Sequence, residues 1–404
     1  MGLAKNWIME IEEKGYEPLL EDKFVCAELF NDIYLKRYIE YNSHHGKCSY
    51  TNKITNVISF NQFLDYIMHR IQSYYVAPEL DGLPYSSTFY DEDDECIPGL
   101  TVFCGFVTRE QALTFDSTEE LFEHINLVSN NDEVISDLVG SISNNKWIQK
   151  DSAIRSMKEE LSDTWQQFSR MIKHSRRFTF YMLPEYNPLC FSSENGLQHI
   201  LIEISNAISE LGLYKKLPEN TKLYRCRYIN ESEEVISFES ITSPPDDKAS
   251  ENRMNPIGIS MFYGAFDYNT AILEARDSSK PIYMLGEFST KKDLVILDLT
   301  DLPEKGFWNE YWQELAFIYS FCAEVSKPID PNTELYEYVP TQVFAEYIRY
   351  GCKDSDGSRI DGIKFNSSKD AGQNIVLFYN QKQSEDILKL NQLTNNKNIN
   401  STPV

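Results

Sequence analysis

The stretch Arg253–Arg276, RMNPIGISMFYGAFDYNTAILEAR, decides how the second half of this 404-residue chain is arranged. Its apolar run ISMFY predicts a short strand, Gly264 predicts a turn, and NTAILEAR predicts the first turns of a helix. Arg253 opens the stretch, Tyr263 ends the strand and Glu274 lies on the helix. Three polar side chains therefore lie at the ends of elements, where binding and catalytic groups are usually found.

The rest of the second half alternates short strands with helices. Strands are predicted at about 222–228, 259–263, 282–288, 293–298, 361–365 and 374–379, and helices at about 269–277, 309–325 and 341–350. This order favours an α+β domain with a split, mostly antiparallel sheet.

The first half has a mainly helical pattern. Residues 24–42 and 60–75 carry apolar residues at helical spacing, and a further helix is predicted at about 194–213. After it, LPENTKLYRCRYI changes to a turn and a strand, so we expect a helical domain at 1–215 and a second domain at 216–390. The Asn-rich tail, 391–404, is expected to be disordered.

Charge and hydropathy exclude several classes of protein. The net charge of −24 argues against a general nucleic-acid coat, because phosphate binding requires a basic face. No apolar run reaches the length of a membrane helix, so we expect no membrane partner. Charged residues near the start replace the apolar core of a signal peptide, which favours a cytoplasmic location.

Eight cysteines are scattered along the chain and are expected to be reduced thiols. Cys26, His44, His45 and Cys48 are close enough in sequence to surround a zinc ion. Zinc sites usually draw cysteines in CxxC pairs, whereas the third residue after each of these two is Leu or Thr. We therefore expect buried structural thiols and no metal.

The six histidines all lie before residue 200. A site in the second half would therefore have no histidine base, no Ser-His triad and no His-ligated metal. Its chemistry must come from Arg, Glu, Asp, Tyr, Ser and Asn.

Polar side chains near strand and helix ends form the candidate site. They are Arg225, Arg253, Tyr263, Glu274, Ser367 and Asn374. Two arginines can hold a diphosphate through forked hydrogen bonds, and a glutamate can stabilise the cationic sugar of a breaking glycosidic bond. A tyrosine can stack on a ring, and a serine can bind an amide or a phosphate. Together these abilities fit NAD⁺, although each residue alone is equally typical of a surface or core position.

Four segments resemble the RES domain over about residues 216–382. They are LYRCRY, RMNPIGISMFYGAFDYNTAILEAR, YVPTQVFAEYIRYGCKDSDGSRIDGIKFNSS and GQNIVLF. Arg225, Arg253, Tyr263, Glu274 and Ser367 fall on positions of the family pattern. The first half is similar to the HEPN/RES N-terminal domain, a family that usually shows two CxxC pairs.

The resemblance implies a fold like that of ADP-ribosyltransferases and consumption of NAD⁺ by phosphorolysis or hydrolysis. It implies that Arg225 and Arg253 hold the diphosphate, that Tyr263 packs against the nicotinamide or its ribose, and that Glu274 stabilises the ribose cation or orients the nucleophile. Ser367 would position the amide or a phosphate. NAD⁺ is then the substrate, inorganic phosphate a co-substrate, and no cofactor is required, since nicotinamide leaves as a neutral group.

Small RES proteins are toxins restrained by an antitoxin, so the resemblance also implies a regulated effector. We expect a homo-oligomer whose first half gates the site, with a regulatory protein or a phage-derived trigger as partner. Three alternatives remain: transfer of ADP-ribose to a macromolecule, a non-enzymatic nucleotide-binding module, and a ribonuclease in the first half. The last would use Arg170 and His174.

Overall fold

The computed structural model describes most of the chain, in two compact units. The described residues are 14–18, 20, 22–78, 112–150, 157–180, 199–230, 237–276, 279–280, 282–326 and 335–397. The N-terminal unit comprises Met1–Met157 and Glu304–Trp312, and the C-terminal unit comprises Lys158–Pro303 and Gln313–Val404.

The N-terminal unit combines helices with two small antiparallel sheets. Its helices are α1 (Ile33–Tyr41), α2 (Phe60–Tyr74), α3 (Thr118–His124) and α4 (Asp132–Gly140). Its strands are β1 (Phe24–Cys26), β2 (His44–Lys47), β3 (Ile54–Ser59), β4 (Tyr75–Val76), β5 (Thr114–Phe115) and β6 (Trp147–Gln149). They form sheets of order β1-β3-β2 and β4-β6-β5.

The two small sheets of this mainly helical unit were not predicted from the sequence. Residues 24–42, predicted as one helix, begin as strand β1, form a short 3-10 helix at Ala27–Leu29 and become α-helical at Ile33. Asp32 sets that start, because its carboxylate accepts hydrogen bonds from the backbone N–H groups of Tyr34 and Leu35. The helix predicted at 60–75 is confirmed as α2.

A segment from the second half of the sequence, Glu304–Trp312, belongs to the N-terminal unit. Phe307 and Trp308 are buried in its core. The guanidinium of Arg70 donates from Nε and Nη2 to the carbonyl oxygen of Phe307, at 3.0 and 2.9 Å. The N-terminal unit is therefore discontinuous in sequence, which was not predicted.

The C-terminal unit contains one large sheet flanked by helices. Its helices are α5 (Met157–His174), α6 (Ile200–Glu210), α7 (Phe238–Ile241), α8 (Tyr268–Glu274), α9 (Trp312–Val325), α10 (Val339–Gly351) and α11 (Gln381–Ile387). The first residues of α5 and α9 are assigned to the N-terminal unit. Its strands are β7 (Tyr214–Leu217), β8 (Lys222–Ile229), β9 (Phe262–Ala265), β10 (Ile282–Thr290), β11 (Leu294–Asp298), β12 (Gly362–Asn366), β13 (Gln373–Leu377) and β14 (Leu388–Lys397).

The eight strands lie in the order β14-β10-β8-β9-β13-β12-β11-β7. All neighbours are antiparallel except β11 and β12, which are parallel. Between β8 and β9 only Tyr224 and Ala265 are paired, so the sheet separates there. The α+β class and the split, mostly antiparallel sheet are thus confirmed.

Gly264 lies inside strand β9 and not in the predicted turn. A Cβ at this position would lie 3.1 Å from the carbonyl oxygen of Tyr224 and 2.8 Å from the Phe262 ring. A glycine is needed here because β9 passes close to the backbone of Tyr224. The strand continues to Ala265, and the chain turns only after that residue.

The division between the compact units falls at 157/158, whereas the sequence placed a domain boundary near 215. Helices α5 and α6 explain the difference. Their apolar residues Trp165, Phe168 and Ile204 belong to the same buried cluster as the helices and strands of the large sheet. Both helices therefore belong to the fold of the C-terminal unit.

The tail is ordered further than predicted. Residues 388–397 form β14, which pairs antiparallel with β10 at the edge of the sheet. Leu390 and Leu393 pack against a buried cluster that includes Phe288, and this apolar contact holds the Asn-rich strand in place. The prediction of disorder from residue 391 is wrong for 391–397, and residues 398–404 lie outside the described part of the chain.

Among the described residues, no helix combines the length and the apolar content that crossing a membrane requires.

Gly362→Ala should destabilise the C-terminal unit. Its Cβ would lie 2.3 Å from the carbonyl oxygen of Val376 on the paired strand β13, so the strands must separate. We expect a loss of about 1–3 kcal/mol in the free energy of unfolding, measured by urea denaturation. Gly140→Ala is the control, since its Cβ would meet no atom within 4 Å. Equal urea midpoints for Gly362→Ala and the unsubstituted protein would contradict this close approach of Gly362 to Val376.

Candidate functional site

A cavity of about 470 Å³ opens where β8 and β9 separate. This volume lies within the range of small-molecule sites. Five of the six predicted site residues line it: Arg225, Arg253, Tyr263, Glu274 and Asn374. The sixth, Ser367, is next to the lining residues Asn366 and Ser368 in the turn after β12.

Arg225 lies on β8 and is held by the neighbouring strand. Its Nη1 donates to the carbonyl oxygen of Tyr263 at 2.6 Å, and its guanidinium lies 5.6 Å from the centre of the Phe262 ring. Burial lowers its pKa to about 10, so it remains charged at neutral pH. No carboxylate pairs with it within the described part of the chain. A desolvated cation without an acidic partner favours an anionic ligand.

Arg253 is anchored by two helices. Its Nη1 donates to the carbonyl oxygens of Glu324 and Val325 at the end of α9, and its own carbonyl accepts from Thr341 of α10 at 2.6 Å. Burial lowers its pKa, while the nearby carboxylate of Glu274 opposes that effect. The contact with the carbonyls fixes the side chain, and the negative end of the helix dipole stabilises its charge.

Asn255 organises the loop that carries Arg253. Its amide donates to the carbonyl oxygens of Ser250 and Ile259, at 3.0 and 2.8 Å. The hydroxyl of Tyr263 donates to Asn255 Oδ1 at 2.7 Å and accepts from the backbone N–H of Met254 at 3.3 Å. The tyrosine thus ties the loop to β9, and burial raises its pKa well above the usual value.

Glu274 ends helix α8 with its carboxylate at the cavity. The hydroxyl of Ser367 donates to Oε1 at 2.5 Å, and the amide of Asn374 donates to the same oxygen at 2.7 Å. Within the described part of the chain, no hydrogen bond reaches Oε2. One oxygen is therefore fixed, and the other is available to a ligand.

The resemblance implied that Ser367 contacts the ligand, whereas its hydroxyl donates to Glu274. Its hydroxyl also accepts from the backbone N–H groups of Lys369 and Asp370, at 3.0 and 3.4 Å. With both backbone donors pointing at its oxygen, its single proton is committed to Glu274. Ser367 therefore holds the glutamate, and contact of its hydroxyl with a ligand stays a prediction.

Sequence reasoning missed the residues that support the loop 250–259. Buried Gln342 of α10 donates from Nε2 to the carbonyl oxygens of Asn252 and Asn255, at 2.9 and 3.2 Å. Tyr338 lines the cavity just before the same helix. No signal in the sequence indicated these contacts, because a polar residue such as Gln342 on a predicted helix usually faces solvent.

The first half of the sequence offered two further candidate sites, the pair Arg170 and His174 and the cysteines Cys26 and Cys48. Arg170 and His174 are both exposed on α5, and the ring of His174 packs against Tyr336 at 5.1 Å. Cys26 and Cys48 are buried thiols. Among the described residues, no group of three or more His, Cys, Asp or Glu side chains is arranged to hold a metal ion.

The fold and the cavity define an α+β domain with a cationic, ligand-sized site and one poised carboxylate. Family models match two regions of the chain: HEPN/RES N-terminal domain 1 over residues 41–185 and the RES domain over residues 222–393. The chain thus carries a RES domain preceded by a HEPN/RES N-terminal domain, as the sequence resemblance predicted.

RES domains are generally associated with enzymes that act on NAD⁺, and the two domains together fit a toxin or effector module. No curated protein and no solved structure matches the chain.

Tyr263→Phe should loosen the loop without altering the cavity's shape. The change removes the donor to buried Asn255 Oδ1 and the acceptor for Met254 N–H. We expect a loss of about 1–3 kcal/mol in the free energy of unfolding by urea denaturation, because buried polar groups lose their partners. Tyr268→Phe, at an exposed position, should change it by less than about 0.5 kcal/mol. Equal effects of the two substitutions would exclude this role for the hydroxyl.

Proposed function

We propose that the C-terminal unit degrades NAD⁺ by breaking the bond between nicotinamide and ribose. The observation that carries the proposal is the wall formed by Arg225, Arg253 and Glu274, in which two cations and a hydrogen-bonded carboxylate face one cavity. A fold like that of ADP-ribosyltransferases is part of the same proposal.

Arg225 and Arg253 bind the diphosphate. Both are held by carbonyl oxygens, which orient the guanidinium groups. Charge-assisted bonds from arginine to phosphate are the strong class of hydrogen bond, and they offset the cost of burying the two cations. This local charge is needed because the whole chain carries −24 and repels anions.

Glu274 stabilises the ribose as the glycosidic bond breaks. The electron pair of that bond leaves with nicotinamide, which departs as a neutral molecule and needs no proton. The ribose carbon then carries positive charge, which an anionic Glu274 stabilises. Ser367 and Asn374 keep the carboxylate oriented before the reaction, so little reorganisation is required.

Phosphate or water completes the reaction at the same carbon. An oxygen of inorganic phosphate would form the new bond directly and yield ADP-ribose 1″-phosphate. Water would form it with loss of a proton to solvent and yield ADP-ribose. The N-terminal unit restrains this activity until a regulatory protein or a phage-derived signal binds, and the active protein is a homo-oligomer.

Glu274→Gln should slow the turnover of NAD⁺ strongly. The amide keeps the side chain's size but removes the negative charge, so we expect nicotinamide release to fall by roughly 10²–10³-fold. Chromatography of nicotinamide and of the sugar product, with and without phosphate, measures both the rate and the acceptor. Glu239→Gln, at an exposed position outside the cavity lining, is the matched control.

Two other results would decide against the proposal. Full activity of Glu274→Gln would remove the carboxylate from the mechanism. Labelled ADP-ribose appearing on protein or nucleic acid would instead establish transfer to a macromolecule, and NAD⁺ bound but recovered intact would establish a binding module.

Arg225→Met should weaken binding of NAD⁺ more than it slows the chemical step. Loss of one charged hydrogen-bond donor costs roughly 1.5–3 kcal/mol, so we expect KM to rise about 10–100-fold. The measurement is nicotinamide release over a range of NAD⁺ concentrations. Arg227→Met is the control, because that neighbour on β8 is exposed and lies outside the cavity lining. An unchanged KM in Arg225→Met would place the diphosphate elsewhere.

A further inference from the structure

A polar cluster behind the candidate site joins helix α8 to the turn between β12 and β13. The buried hydroxyl of Thr270 lies 2.6 Å from Asp267 Oδ2 and 2.8 Å from Asp370 Oδ2. Asp267 caps α8 by accepting from the backbone N–H of Thr270 at 2.9 Å. Asp370 belongs to the turn that carries Ser367. Thr270 is therefore the contact between the helix of Glu274 and the turn of Ser367.

Gly372 allows this close approach. A Cβ on Gly372 would lie 1.9 Å from Thr270 Oγ1 and 2.9 Å from Asp267 Oδ2, so no other residue fits without moving the turn. The backbone of Gly372 also closes the turn, since its N–H donates to Asp370 Oδ1 at 3.0 Å and its carbonyl accepts from Ser367 N–H at 2.9 Å.

The turn between β12 and β13 also fixes the hydroxyl of Ser367. The backbone N–H groups of Lys369 and Asp370 both donate to Ser367 Oγ, and that oxygen donates to Glu274. A shift of the turn relative to α8 would lengthen this last bond. Asn374 would share the displacement, since β13 begins directly after Gly372.

We propose that Thr270 is a positioning residue for the proposed reaction: its hydroxyl, which donates its single proton to Asp370, sets the distance between Ser367 and Glu274. The expected effect on kcat rests on the proposed function. Thr270 does not line the cavity and touches the site only through the turn.

Loss of this contact should affect the rate and not the binding of NAD⁺. The two arginines that hold the diphosphate lie on β8 and in the loop 250–259, away from the turn. The carboxylate of Glu274 acts only as charge develops on the ribose, so its misplacement lowers kcat while KM stays the same.

Thr270→Val tests the hydroxyl, because valine keeps the shape of the side chain and removes the hydrogen bond to Asp370. We expect kcat to fall about 10–100-fold, as a misplacement near 1 Å would cause, with KM changed by less than about threefold. Thr270→Ser keeps the hydroxyl and should retain kcat within about threefold of the unsubstituted protein. Equal kcat for Thr270→Val and Thr270→Ser overturns the proposal.

Gly372→Ala tests the same contact by a different route, because it wedges the turn away from α8 and removes no polar group. The proposal expects the same fall in kcat at constant KM. A rise in KM with kcat unchanged would overturn it, since that result would place the turn in substrate binding.

Crystal structures of Thr270→Val and Gly372→Ala separate this inference from the proposed function. The distance from Ser367 Oγ to Glu274 Oε1, now 2.5 Å, should exceed the hydrogen-bond limit of about 3.5 Å in both. An unchanged distance overturns the inference whatever the enzyme does. Absence of nicotinamide release from the unsubstituted protein would overturn the proposed function, while the distance would still judge the role of Thr270.

Discussion

The two hydrogen bonds that reach one oxygen of Glu274 join parts of the chain far apart in sequence. Helix α8 supplies the carboxylate, and Ser367 and Asn374 come from 93 and 100 residues further along. Neither donor can reach the carboxylate unless β12 and β13 have joined the sheet beside β9. The site is thus a property of the complete sheet. Strand pairing and core packing offset the conformational entropy that is lost when these distant residues are brought together.

A second network holds another part of the cavity lining. Asn255, Tyr263 and Gln342 fix the loop 250–259 through buried hydrogen bonds, and α9 and α10 fix Arg253. The first network orients the carboxylate of Glu274, and the second orients the guanidinium of Arg253. A cavity lined by both signs of charge suits a ligand that is anionic at one end and becomes cationic at the other.

Much of the C-terminal unit was predictable because its signals are local. Apolar alternation located β8, β10, β11, β12 and β13, and the residues at their ends identified the lining of the cavity. The supporting contacts were not predictable, since Thr270 with Asp370 or Asn252 with Gln342 are joined only by the tertiary fold. The same reason explains the error over residues 391–397, where pairing with β10 overrides an Asn-rich composition.

The discontinuity of the N-terminal unit has a consequence for how the protein is made. Phe307 and Trp308 complete its core, yet they are synthesised after strands β7 to β11 of the other unit. At typical rates of translation, roughly 10–30 s separate the end of the first segment from their appearance. The core of the N-terminal unit therefore lacks Phe307 and Trp308 until more than half of the C-terminal unit has been synthesised. The folding of the two is interleaved in time.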